Sequence, residues 1–376
     1  MVSHYIYQQT SWPQFTWDTT VLQPQLNELR VQQGKLLGQL SLLPTENESD
    51  AYLDTLIQTA IRTSEIEGEN LNVSSVRSSV AKQLGLLQAG LPPSTSQTDA
   101  LVEMLLDATT HHARSLTLDK LFEWQAALFP NNDKALNPVV LGALRGDEPM
   151  QVISGRIDKP IIHFEAPSRD QLEEELEQFL LWFNHPPKNL DALLRAGIAH
   201  LWFITLHPFD DGNGRVARAI TDRALAQAEH QSVRFYSLSA SIMARRNEYY
   251  NVLEAAQKGN LDITLWLSWF LTVLQGAINE GLHRFERVLK KARYWQTHAQ
   301  TSLTQRQIKV LNRLLDAGVG TEYAEEFELG INASKYMSLA KVSKATATRE
   351  LADLLEKGCI EKLAGGGRST RYTLKW

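Results

Sequence analysis

The segment His207-Pro208-Phe209-Asp210-Asp211-Gly212-Asn213-Gly214-Arg215-Val216-Ala217-Arg218 constrains this chain more than any other stretch. It lies between two apolar helical patterns. Before it, Leu193, Ile198, Leu201, Trp202 and Leu206 recur at helical spacing, and after it Asp222 to Ala228 reads the same way. Gly212 and Gly214 let a backbone approach a bound group closely, and a helix is predicted to start near Asn213. Backbone N–H groups at a helix start form an anion site that the helix dipole favours. Arg215 and Arg218, three apart, share one face of the first turn, and their planar forks suit phosphate oxygens. Asp211 offers a hard oxygen ligand fit for Mg²⁺. His207 is the neighbouring group able to accept a proton near neutral pH. Twelve residues thus hold the parts that a nucleotidyl transfer needs.

Most of the remaining chain reads as helix. Leu172, Leu176, Phe179, Leu180 and Phe183 carry helical spacing, and Asp119 to Phe129 and Ala277 to Lys291 look similar. Breaks fall at Gly90-Leu91-Pro92-Pro93, at Pro130-Asn131 and at His185-Pro186-Pro187. An extended stretch from Met150 to Phe164 reads as a hairpin with Gly155 and Asp158 near its turn. From about residue 301 the character changes. Helices at Thr304 to Leu315, Ser334 to Ala340 and Ser343 to Lys357 precede two short strands around a glycine turn, which predicts a winged helix. The expected organisation is an N-terminal helical module over residues 1–100, a core over 101–290 and a winged helix over 301–376.

With every defining position of His207 to Arg218 filled, the loop resembles the Fic family motif, and the resemblance extends over roughly residues 115 to 275. It implies a mainly α fold: a Fic-type helical core with a β-hairpin flap, plus the C-terminal winged-helix domain. It implies protein adenylyltransferase activity, with ATP as co-substrate and Mg²⁺ as cofactor. His207 would be the general base for a target hydroxyl, Asp211 the Mg²⁺ ligand, and Phe209 the anchor of the loop. Gly212, Asn213, Gly214 and Arg215 would hold the α- and β-phosphates and Arg218 the γ-phosphate. Val152, Ile153, Ser154 and Gly155 would form the flap that docks a target segment by backbone pairing. Tyr249, Tyr250 and Gln257 resemble positions that border adenine.

Thr63-Ser64-Glu65-Ile66-Glu67-Gly68 resembles the family's inhibitory motif. The likeness implies that Thr63, Glu67 and Gly68 form a brake in which Glu67 pairs with Arg218 and occupies the γ-phosphate site. A bidentate pair of that kind is strong, and breaking a buried one costs about 3–5 kcal/mol. The same kinship leaves open removal of AMP from modified targets, and transfer of UMP or phosphate. The intact Gly214 speaks against phosphate. The family resemblance also suggests a homodimer.

Tyr5, Tyr7, Trp12, Phe15 and Trp17 are expected to pack on the core. Lys341, Lys344, Arg349 and Lys357, with Arg368 and Arg371, would suit DNA phosphates. Glu350, Asp353, Glu356 and Glu361 offset that charge, which leaves a protein contact as open as a DNA contact. A net charge of −5 gives no global basic field, and the single Cys359 excludes an intramolecular disulfide. The apolar run Ile263 to Leu274 is too short to span a bilayer, and the start lacks the regions of a secretory signal, so a cytoplasmic location is expected.

Overall fold

The structure, a computed structural model, describes residues 5–40, 45–86, 92–134, 138–156, 159–232, 234–316, 327, 330–363 and 370–376. Gly90, Asp158, Arg368 and the glycine turn of the wing lie outside these residues. Contacts divide the chain into two units, Met1–Gly281 and Leu282–Trp376. Among the described residues no helix is long and apolar enough to cross a membrane.

The first unit runs α1 (Thr19–Leu40), α2 (Thr45–Ile66), α3 (Val73–Gln83), α4 (Ser96–Thr110), α5 (Leu118–Ala127), β1 (Gln151–Arg156), β2 (Lys159–Glu165) and α6 (Leu172–Asn184). Then follow α7 (Ala192–Leu206), α8 (Asn213–Glu229), α9 (Leu238–Ala244), α10 (Arg246–Gln257) and α11 (Thr264–Thr297), within which the unit boundary falls. Short polar side chains start several of these helices. Asn72, Thr95, Thr117 and Asp191 each accept a hydrogen bond from a first-turn N–H of α3, α4, α5 and α7.

At the centre is α7, buried at every residue from Leu193 to Leu206. A helix apolar on all sides has to be surrounded by others. Gly197 brings α11 in close: a Cβ there would sit 2.9 Å from Phe270 Cδ1. Trp266 Nε1–H also donates to the Gly197 carbonyl at 2.9 Å. Along α7 packs α8, whose buried Val216, Ala217, Ala219, Ile220, Ala224 and Leu225 mix small and branched residues. On α6 the expected stripe is present, with Leu172, Leu176, Phe179 and Phe183 buried.

The N-terminal aromatics pack as expected. Trp12 and Phe15 meet Trp202 of α7 edge to face, while Tyr5 and Tyr7 meet Phe164 of β2. Thr16 closes a one-residue bridge, taking its bond from Ile263 N–H and giving its own to the Leu261 carbonyl.

The second unit holds α12 (Gln305–Asp316), α13 (Ala333–Ala340), α14 (Lys344–Glu356), β3 (Ile360–Lys362) and β4 (Tyr372–Leu374). Ser343 caps α14 at its start. Gly358, at φ 71°, ends it, and Cys359 N–H turns back to the Leu354 carbonyl. Strand β3 pairs antiparallel with β4, and Ile331 adds a bridge to Tyr372. Three helices and this small ladder enclose Val310, Leu311, Ile331, Tyr336, Leu351, Leu354 and Ile360 in the arrangement of a winged helix.

Candidate active site

The loop between α7 and α8 is built by its own side chains. His207 ends α7 in the left-handed region, at φ 46° and ψ 57°. A non-glycine residue holds that conformation only when its surroundings enforce it. Two neighbours do so. Arg145 Nε donates to the His207 carbonyl at 2.9 Å, its backbone N–H donates to the Pro208 carbonyl at 3.0 Å, and its far end donates to the Pro167 carbonyl. Asn213 clasps Phe209 from the other side: Oδ1 accepts the Phe209 N–H at 2.9 Å and Nδ2 donates to the Phe209 carbonyl at 2.7 Å. Phe209 itself is fully buried between Phe122 and Phe203. Arg145 carries no motif signal, because it grips backbone carbonyls that any residue would supply.

One hydrogen bond fixes the tautomer of the His207 ring. Its Nδ1 lies 3.2 Å from the Ile204 carbonyl, which can only accept, so Nδ1 carries the proton and Nε2 the lone pair. Burial holds the ring's pKa below the ordinary histidine value, and the cation of Arg145 adds to the fall. The bond to Ile204 and the charges of Glu67 and Asp211 push the other way without overcoming it. The imidazole is therefore neutral at pH 7.

Gly212, at φ 88°, turns the chain into α8, and Asp211 Oδ1 accepts its N–H at 2.5 Å. The first-turn N–H groups of Asn213, Gly214 and Arg215 have no preceding helical turn to bond. The expected phosphate cradle therefore rests on backbone here, because the Asn213 amide is spent on Phe209. The Asp211 side chain is 57% exposed at the mouth of the loop, with Arg215 Nη2 at 3.8 Å.

Both motif arginines are buried, and both meet carboxylates from the end of α2. Arg218 donates through Nε to Thr63 Oγ1 at 2.7 Å, and through Nη2 to the Thr63 carbonyl at 2.9 Å and Glu67 Oε1 at 2.7 Å. The expected two-pronged Glu67–Arg218 pair is thus a single charged contact, since Thr63 takes Nε–H and shares Nη2 with Glu67. Glu67 keeps 30% of its side chain in water, so the cost of breaking a fully buried pair does not apply. A Cβ on Gly214 would overlap the Glu67 carboxylate, which lies directly on the start of α8. Arg215 stacks its guanidinium 5.1 Å from the centre of the Phe129 ring and donates to Glu69 Oε2 at 2.8 Å. Arg218 Nη1 and Arg215 Nε are buried without a hydrogen-bond partner. Guanidinium nitrogens left unsatisfied beside a helix start fit an anion with several oxygens.

Three other expected residues lie beside and below this pair, with Tyr249 and Tyr250 within electrostatic reach of Arg218 and Glu67. Tyr249 and Gln257 are buried in the core. The Tyr249 hydroxyl meets His200 Nε2 at 2.9 Å, and Gln257 Nε2 meets Thr205 Oγ1 at 3.4 Å. Tyr250 is 37% exposed and donates to the Ile66 carbonyl at 3.0 Å, alongside Arg246 Nε at 2.8 Å. Two donors on α10 thereby hold the last carbonyl of α2.

The hairpin pairs Ile153 with Ile162, Ser154 with Ile161 and Gly155 with Pro160, with an irregularity between Val152 and Ile153. Ile153, Ile161 and Ile162 point into solvent. The Ser154 hydroxyl donates to His163 Nε2 at 2.5 Å, and His163 Nδ1–H donates to Glu254 of α10 at 2.7 Å. That relay ties the hairpin to α10.

Residues 115–225 match the Fic/DOC family. Residues 5–86 match a domain of unknown function (DUF4172), and 327–375 match the transcriptional regulator DIP2311-like C-terminal domain. Protein adenylyltransferase fic-1 of Caenorhabditis elegans is 29% identical over 147 residues, 39% of this chain and 25% of that protein. A uridine 5'-monophosphate transferase of Xanthomonas campestris is 29% identical over 119 residues, 29% of this chain and 21% of that protein. The similarity thus spans about a quarter of the length of these relatives. The crystal structure of a Fic family protein from Desulfovibrio desulfuricans G20 superposes with a TM-score of 0.55 at 19% identity, covering 96% of this chain and 98% of that one. The fold is mainly helical and like that of a Fic family protein, and the segment around the loop matches the Fic/DOC family and is similar in sequence to protein adenylyltransferases.

Proposed function

We propose that this chain transfers AMP from ATP to hydroxyl groups of proteins and is held at rest by its own α2 turn. One observation carries the reading most: the Glu67 carboxylate lies on the N-terminus of α8 and on Arg218, where a phosphate would have to go. In this reading a target hydroxyl gives its proton to His207 Nε2 as its oxygen attacks the α-phosphorus. The bond from that phosphorus to the β-bridging oxygen breaks, and pyrophosphate leaves. The N–H groups at the start of α8, Arg215 and Arg218 hold the phosphates against that displacement. The exposed Asp211 carboxylate is of the donor type and count that Mg²⁺ takes alongside phosphate oxygens and water, and that ion would neutralise charge on the leaving group. The hairpin, with an open edge on each strand and three exposed isoleucines, is suited to pair with an extended target segment.

The experiment uses the Glu67→Gly chain with Mg²⁺ and three labels: α-labelled ATP, α-labelled UTP and γ-labelled ATP. Label on protein from α-labelled ATP alone is the expected result. Label from UTP would replace AMP by UMP, label from the γ position would mean phosphate transfer, and none at all would sink the reading.

A second reading concerns the winged helix, and the placement of its acids favours it. Glu350 is turned into the unit, accepting from Arg306 at 2.7 Å and from the Tyr336 hydroxyl at 2.7 Å. Asp353 is engaged by Gln307 and Lys357, each at 2.6 Å. The exposed start of α14 is left with Lys344, Thr348 and Arg349, next to Lys341. That surface suits a duplex backbone, and we propose DNA as its partner. The full chain should bind duplex DNA with steep salt dependence, and Lys344→Ala and Arg349→Ala should each reduce the log–log salt slope by about 1. Binding that ignores salt, or slopes unchanged by both substitutions, would rule this out.

A further inference from the structure

We infer that the turn after α2 carries two carboxylates with separate tasks: Glu69, on Arg215, sets how tightly a nucleoside triphosphate binds, while Glu67, on Arg218, sets whether it is aligned to react. This rests on reading residues 207–218 as a triphosphate site.

The two carboxylates come from one constrained piece of backbone. The Ser64 carbonyl accepts both the Glu67 N–H and the Glu69 N–H, each at 3.0 Å. Between them Gly68 adopts φ 85°, a conformation that glycine takes without strain. One residue back, the Ile66 carbonyl is held by Arg246 and Tyr250. Those bonds satisfy carbonyls that a helix end leaves without partners, so they fix the turn whatever the side chains do. Two carboxylates two residues apart are thereby aimed at two arginines three residues apart.

Their settings differ. Arg218 is held by Thr63 as well as Glu67, so its fork stays tied to α2 when Glu67 is removed. Arg215 makes its close charged contact with Glu69, has Asp211 at 3.8 Å and leaves Nε buried without a partner. An incoming phosphate at Arg215 must displace Glu69 or lie against its negative charge. Glu69 keeps 35% of its side chain in water, so it can move to solvent and regain hydration. Removing its charge therefore frees one phosphate seat while Glu67 still occupies the other. Affinity rises and turnover does not.

The test measures ATP binding by calorimetry with Mg²⁺, and transfer kinetics, on the full chain. Glu69→Gln should bind ATP about tenfold more tightly than wild type, the size expected for one charge-assisted contact. Glu67→Gly/Glu69→Gln should match Glu67→Gly in kcat but show a KM about tenfold lower. Glu69→Asp should restore most of the weak binding. Glu65→Gln serves as the charge control, because Glu65 pairs with Arg62 at 2.5 Å rather than with the loop. It should leave affinity unchanged. Equal KM in the single and double variants, or equal tightening by Glu65→Gln, would overturn the inference while leaving the transferase reading intact. Absence of ATP binding and of label in every variant would overturn both.

Discussion

In a Glu67→Gly background, His207→Ala is expected to cut transfer by about 10²- to 10⁴-fold, the range for loss of a positioned general base. The thermal transition should be retained, because the ring makes one side-chain hydrogen bond, to Ile204, and the loop is held by other groups. Phe209 anchors it in the core, Asn213 clasps it, and Arg145 ties its carbonyls. The accompanying pH profile has a definite sign. Burial holds the His207 pKa below the usual value of about 6.5, so the active, neutral base is present at pH 7 and is lost only as pH falls through the lowered value. Removing Glu67 also removes one of the charges that push that pKa up. The acid limb of kcat/KM should therefore lie below about 6.5 and flatten above it. A limb centred above 7, or a His207→Ala chain as active as its parent, would remove His207 from the chemistry.

The legible parts of this chain were those whose geometry is local. A loop of twelve residues encodes much of itself: glycines for the turn and arginines one helical turn apart, though the clasp of the Asn213 amide on the Phe209 backbone appears only in the fold. The helices were legible in the same way, as with the stripe on α6. Pairings between distant segments carry no such signature. Arg145 lies in a stretch without periodicity, and it acts on carbonyls 62 and 22 residues away. Glu69, just past the Thr63–Gly68 motif, has no local mark of its partner, and only the fold sets it on Arg215. In the winged helix, Glu350 looked like charge that would repel a duplex, yet Tyr336 and Arg306 draw it inward. Tyr249 likewise gave no local sign of its partners, which folding supplies as His200 on one side and the Arg218–Glu67 pair on the other.

Glu67→Gly is expected to raise the rate of transfer, self-modification included, by roughly ten- to a hundredfold. That range follows from one charge-assisted hydrogen bond of about 1.5–3 kcal/mol between a buried cation and a partly hydrated acid. A glycine there leaves the Arg218 fork on Thr63 and opens the start of α8, where the carboxylate had lain over Gly214. The backbone consequences are small, because residue 67 lies beyond the last residue of α2 and its N–H still reaches the Ser64 carbonyl. Glu67→Gln separates charge from shape: it keeps the bulk over Gly214 but removes the ionic part of the bond to Arg218. Its rate should therefore fall between wild type and Glu67→Gly. Initial rates with α-labelled ATP at saturating nucleotide decide the matter. A graded rise from wild type through glutamine to glycine identifies an electrostatic and steric brake acting on alignment. A rate that does not move in either variant would mean that Glu67 only supports the fold, and that something other than this turn holds the site in check.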